Sequence, residues 1–147
     1  MDAGRELDAL VAEKVMGWVN VACLNGGNTP TGEPDDDWNR DARNDPRHGG
    51  TGIPQVHRLE VPDYSTQIND AWEVVEKLKR DGWNVSLGGD NGWGCTIYKI
   101  HAQGGKNFSS TWEESFGPIN AETAPLAICL AALKAVGYDV VQREERA

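Results

Sequence analysis

Between Glu33 and His48 the chain gathers Glu33, Asp35, Asp36, Asp37, Asp41 and Asp45, followed closely by the imidazole of His48. A hard cation such as calcium takes oxygen donors at alternating positions, and Asp37, Asn39 and Asp41 repeat the D-x-N-x-D opening of a calcium loop. The match stops there, because Ala42 stands where the turn needs Gly and His48 stands where a bidentate Glu is needed. The stretch reads as a solvated acidic loop. His48, His57 and His101 show no paired spacing and no nearby CxxC, so neither a metal site nor a cofactor is expected. There is no G-x-S-x-G and no P-loop, and the glycine pairs at 26–27, 49–50, 88–89 and 104–105 read as turns. Cys95 and His101 are six residues apart, about 20 Å along a strand, too far for proton transfer. Glu113 and Glu114 are adjacent, and adjacent strand residues face opposite ways. No catalytic constellation results, and the chain is not expected to be an enzyme.

Binding chemistry survives this elimination. Trp38 and Trp93 lie in Asp- or Gly-rich surroundings where a flat ring can stack on a base or a partner surface. Arg40, Arg43, Arg47, Arg58, Lys99 and Lys106 supply guanidinium forks and point charges for a phosphate. These eight are the candidate ligand-binding residues. The bland alternative for the cations is loop solubility. The other tryptophans, Trp18, Trp72, Trp83 and Trp112, fall on expected core faces.

The elements that must position these groups follow from periodicity. Val61 to Gly82 carries one apolar stripe (Ile68, Ala71, Trp72, Val75, Leu78), with Asp63 or Ser65 as cap and Gly82 as the left-handed stop. Gly4 to Met16 is a second amphipathic helix through Leu7, Leu10, Val11 and Val15, with Asp2 as its cap and Gly17 as its stop, leading into a strand at Trp18 to Cys23. Residues 24–52 have almost no apolar residues and read as a long polar loop or insertion. Ile53 to Val61 is a short extended stretch. Trp83 to Leu87, Gly94 to Ala102 and Phe108 to Phe116 form an antiparallel meander, its first turn at Asp90, Asn91 and Gly92. Thr123 caps a well-buried helix over Ala124 to Val136 that Gly137 ends, and 138–147 is a polar tail. The fold class is α+β: a small antiparallel sheet of three to four strands with three amphipathic helices packed on it, an α/β/α sandwich within a single domain, 1–147.

A chain of 147 residues with a net charge of −9 lacks the cation excess that non-specific nucleic acid or an anionic membrane requires. Three cysteines without CxxC spacing, no leader pattern and no long apolar run fit a cytoplasmic protein. The Asn-x-Ser matches at Asn84 and Asn107 are then chance.

The blocks GRELDALVAEKVMGW, VPDYSTQINDAWEVVEKL, WNVSL and TAPLAICLAALKAVG, in this order, resemble the phage alpha-beta-alpha sandwich domain family. The resemblance covers roughly Gly4 to Val21 and Val61 to Gly137, and it departs over Asn25 to Gly52, longer than the connection expected there. It implies helices packed on an antiparallel sheet, a phage context and the host bacterial cytoplasm, in a family mostly without an assigned activity. Two functions follow as expectations. One is stoichiometric capture of an anionic metabolite, such as a nucleotide signal of bacterial immunity, in a pocket completed in a homo-oligomer with a symmetric dimer as default. The other is a protein-interaction module acting on a host or phage protein.

Overall fold

The computed structural model describes residues 3–23, 29–44, 56–89, 92–105 and 108–138, with 101–105 and 108–112 described by their backbone alone. In chain order the elements are α1 (Arg5–Lys14), β1 (Val19–Cys23), β2 (Pro30–Glu33), α2 (Asp37–Asn44), β3 (Leu59–Glu60), α3 (Ile68–Arg80), β4 (Asn84–Gly88), β5 (Trp93–Gly105), β6 (Phe108–Ala121) and α4 (Ala124–Ala135). The α+β class and the antiparallel meander are as expected, while the strands make two three-stranded sheets, β1-β2-β3 and β4-β5-β6.

The core lies where α1, α3 and α4 meet the inner face of the meander. Leu7 and Val11 of α1, Val74, Val75 and Leu78 of α3, Ile128 and Leu133 of α4, and Cys95 and Ile97 of β5 are all buried. Val85 and Leu87 turn toward this cluster while the alternating Asn84, Ser86 and Gly88 are exposed, the period of a sheet covered on one face. Helix α4 buries residues on several sides, and Thr123 caps it by accepting the Leu126 N–H. Tyr138, read as the first residue of a polar tail, packs against the core and donates its N–H to Leu133 O; residues 139–147 lie outside the described residues.

The α3 reading needs two corrections. The helix starts at Ile68, because both expected caps are engaged elsewhere: Ser65 Oγ lies 2.6 Å from Asp8 Oδ1 and accepts the Gly4 N–H, and Asp63 takes Arg5 Nη1. Its buried face is Ala71, Val74, Val75 and Leu78, which leaves Ile68 and Trp72 each 48% exposed on the flank. Trp72 is therefore not a core residue. Of the other expected core tryptophans, Trp18 is buried and Trp83 is partly buried against the core, while the Trp112 side chain lies outside the described set. Asp2, offered as the α1 cap, is likewise outside it, and Gly4 occupies that position.

The stretch read as a polar loop contributes β2 and α2. Strand β2 pairs with both β1 and β3, and Gly32 permits the close approach: a Cβ there would meet Val21 Cγ2 at 2.9 Å and Trp18 Cε3 at 3.1 Å. Helix α2 starts because Asp36 Oδ1 accepts the Asn39 N–H at 2.8 Å, an N-cap. Asp37, Asn39 and Asp41 consequently lie on a helix rather than in a cation loop, with the Asn39 side chain buried.

Candidate functional site

Three segments far apart in sequence converge beside the C-terminal end of α1. Helix α1 closes at Gly17 in the left-handed region (φ 80°), and Trp18 then turns into the core. The Pro34–Asp36 turn brings Asp35 against Gly17, whose Cβ position is 3.3 Å from Asp35 Oδ2, and α2 adds Arg40. The end of α3 adds Lys77, Arg80 and Asp81. Together with Met16 these residues enclose a recess of about 270 Å³.

Its electrostatics are mixed, with three cations and two carboxylates. Lys77 Nζ pairs with Asp81 Oδ2 at 2.7 Å, the i,i+4 geometry. Arg40 Nε lies 3.4 Å from Asp35 Oδ1, and its Nη2 lies 2.9 Å from Asp37 Oδ1. Arg80 makes no ion pair among the described residues, so the recess holds one guanidinium without an internal counter-charge. With an aromatic and a thioether on its wall, such a site can hold a planar group beside an anionic one.

Of the six sequence candidates among the described residues, Arg40 alone lines this recess. Arg43 and Arg58 are held by Glu33: Arg43 Nη2 donates to Glu33 Oε1 at 3.1 Å, and Arg58 Nη1 lies 3.8 Å from Oε2 while its Nη2 donates to Thr31 O and Oγ1. Asn20, in the left-handed region at φ 54° within the β1 irregularity, completes that cage by donating to Glu33 Oε2 at 2.5 Å. The Asn20 hydrogen bond, reinforced by the two guanidinium groups, holds the Glu33 carboxyl below its ordinary range. Lys99 Nζ sits 4.3 Å from the Trp83 ring, a cation–π contact, and Trp83 packs edge-on against Phe116. Trp93 is 43% exposed at the start of β5, opposite Ala121 and away from the recess. Trp38 is 54% exposed and stacks beside His57, ring centroids 6.4 Å apart. Arg47 and Lys106 lie outside the described residues. The sequence reading missed Lys77, Arg80 and Trp18 as site residues; the basic last turn of α3 just before Gly82 was the available signal.

Other reactive groups are accounted for by structure. Burial raises the Cys95 thiol to about 11 and raises Cys129 as well, so both are protonated at neutral pH and neither serves as a thiolate. Among the described residues no group of three His, Cys, Asp or Glu side chains could hold a metal ion, and no helix is long and apolar enough to cross a membrane.

The fold is that of a small α+β domain, with helices packed on an antiparallel sheet. The sequence profile of the phage ABA sandwich domain matches residues 9–133, and the chain belongs to that family. No curated protein and no solved structure matches it.

Proposed function

We propose that this phage-family domain is a non-catalytic binding protein that holds a small anionic ligand of about mononucleotide size in the recess between α1, α2 and α3. The observation that carries this reading is Arg80, a guanidinium with no ion pair among the described residues, beside Arg40 and Lys77 on a wall that includes Trp18. Both carboxylates of the recess are ion-paired, which favours retention over bond cleavage. The volume is just below the roughly 300–1,000 Å³ of small-molecule pockets, which suits a small ligand or one shared with a second copy. In a phage context, capture of a nucleotide signal of bacterial immunity, held intact and out of solution, is the biological role this chemistry fits.

Calorimetric titration with mononucleotides, cyclic di- and trinucleotides and ADP-ribose derivatives tests it. Arg80→Ala removes a charge-assisted contact and weakens binding about tenfold or more. Lys79→Ala, which removes an equal charge from the same helix outside the recess, leaves it unchanged. Equal effects of the two variants, or no binding by any member of the series, contradicts the reading.

A second reading rests on a different observation. Ile68 and Trp72 expose two large apolar side chains on neighbouring turns of α3, a pairing suited to protein contact. If nucleotides fail to bind and Trp72→Ala abolishes capture of a defined host or phage protein, this interaction role replaces the first.

A further inference from the structure

The meander is unequal in length. Strand β4 pairs with β5 only from Gly88↔Gly94 to Asn84↔Tyr98, whereas β5 and β6 continue together from Lys99↔Glu114 to Gly105↔Phe108. Beyond Tyr98 the sheet is thus a two-stranded ribbon, about 23 Å long at roughly 3.3 Å per residue. A lone two-stranded ribbon is marginal in water, and along 99–105 the backbone groups of β5 that point away from β6 have no strand partner among the described residues.

We propose that the edge of β5 from Lys99 to Gly105 is a self-association surface, pairing antiparallel with the same edge of a second copy across a twofold axis. Three observations choose this occupant and this edge. An antiparallel edge is its own complement under a twofold, so one interface closes the bare edges of both copies at once. A strand seated at 99 continues the ladder that β4 leaves at Tyr98. At the base of the ribbon, Lys99 lies over Trp83 and Trp83 packs edge-on against Phe116, which fixes where the edge projects from the body. The inference is independent of the ligand proposed for the recess.

The twofold falls at the middle of the stretch, Ala102, and places that residue opposite itself. Light scattering on the full chain across a dilution series then reads twice the chain mass of 16.1 kDa. In a Cys23→Ser background, Ala102→Cys gives a disulfide-linked dimer under mild oxidation, and Ser86→Cys on the outer face of β4 does not. Successive strand residues aim their N–H groups at opposite edges, so Ala102→Pro and Gln103→Pro are made separately. One of the two removes a donor only from the bare edge and yields monomer with the near-ultraviolet dichroism of the body retained. A wild-type chain that is monomeric at every dilution overturns the proposal, as does a dimer unaffected by both proline variants and not cross-linked at Ala102; the first result would leave the edge to a strand from another protein.

Discussion

Asn39 grips both backbone groups of His57: its Oδ1 accepts the His57 N–H at 2.7 Å and its Nδ2 donates to the His57 carbonyl at 3.2 Å and to Pro34 O at 2.9 Å. The side chain is fully buried, and Asp36 adds a 2.7 Å contact from its Oδ2 to His57 Nε2. A polar helix with almost no apolar face is thereby tied to the segment leading into β3, and the same turn places Asp35 and Arg40 in the recess.

Removing that grip tests whether hydrogen bonds substitute for an apolar core here. Asn39→Ala leaves the His57 N–H and two carbonyls, that of Pro34 buried, without their partner and costs about 3 kcal/mol of unfolding free energy in a urea titration. It also weakens ligand binding through Arg40. A loss below about 1 kcal/mol would show that α2 is held by something else.

The Gly32 backbone makes a second, steric prediction. A methyl group there meets Val21 and Trp18 inside normal contact, so Gly32→Ala destabilises by about 1–3 kcal/mol. Gly88→Ala, on a strand where the added Cβ meets nothing within 4 Å, changes the same urea midpoint far less.

Acid sensitivity follows from Glu33 and Asp36. The Asn20 hydrogen bond holds Glu33 below its ordinary value of 4.5, and the Asn39 N–H, aided by His57, holds Asp36 below 3.8. A carboxyl whose folded value is lowered contributes stability that is present above its unfolded value and lost as pH falls through the folded one. Urea midpoints accordingly fall as pH drops below 4.5. Glu33→Gln lowers stability at neutral pH and flattens part of that acid limb; an acid limb unchanged by Glu33→Gln would assign it to other carboxylates.

Legibility in the sequence tracked the source of each element's stability. Helices α1 and α4 and the β4–β6 meander were readable because apolar residues at helical or strand period do the burying. In α3 the stripe was readable but its centre was not, since Ile68 and Trp72 sit at its edge and only tertiary packing decides which flank is covered. Strand β2, with the sequence PTGE, and helix α2, DWNRDARN, carry no such period; their order comes from Gly32 fitting under Val21 and from the Asn39 and Glu33 hydrogen bonds, which join residues up to 18 positions apart (Asn39 to His57). Of the recess residues the sequence singled out Arg40, while Trp18 was read as core. The membership of the recess was not legible, because Trp18, Arg40 and Arg80 meet only when three segments pack together, and because Arg43, Arg58 and Lys99 had intramolecular partners that spacing does not reveal.

The measurement that bears most directly on the binding account is thermal unfolding of the intact protein with and without each nucleotide in the series, with the ligand recovered afterwards and checked by mass. At one hundred times its dissociation constant a ligand stabilises by about 2.7 kcal/mol, roughly 5–10 °C for a chain of this size. The account predicts such a rise for at least one nucleotide, the compound recovered unaltered, and loss of the rise in Arg80→Ala. No rise with any nucleotide, or recovery of a cleaved product, would contradict it.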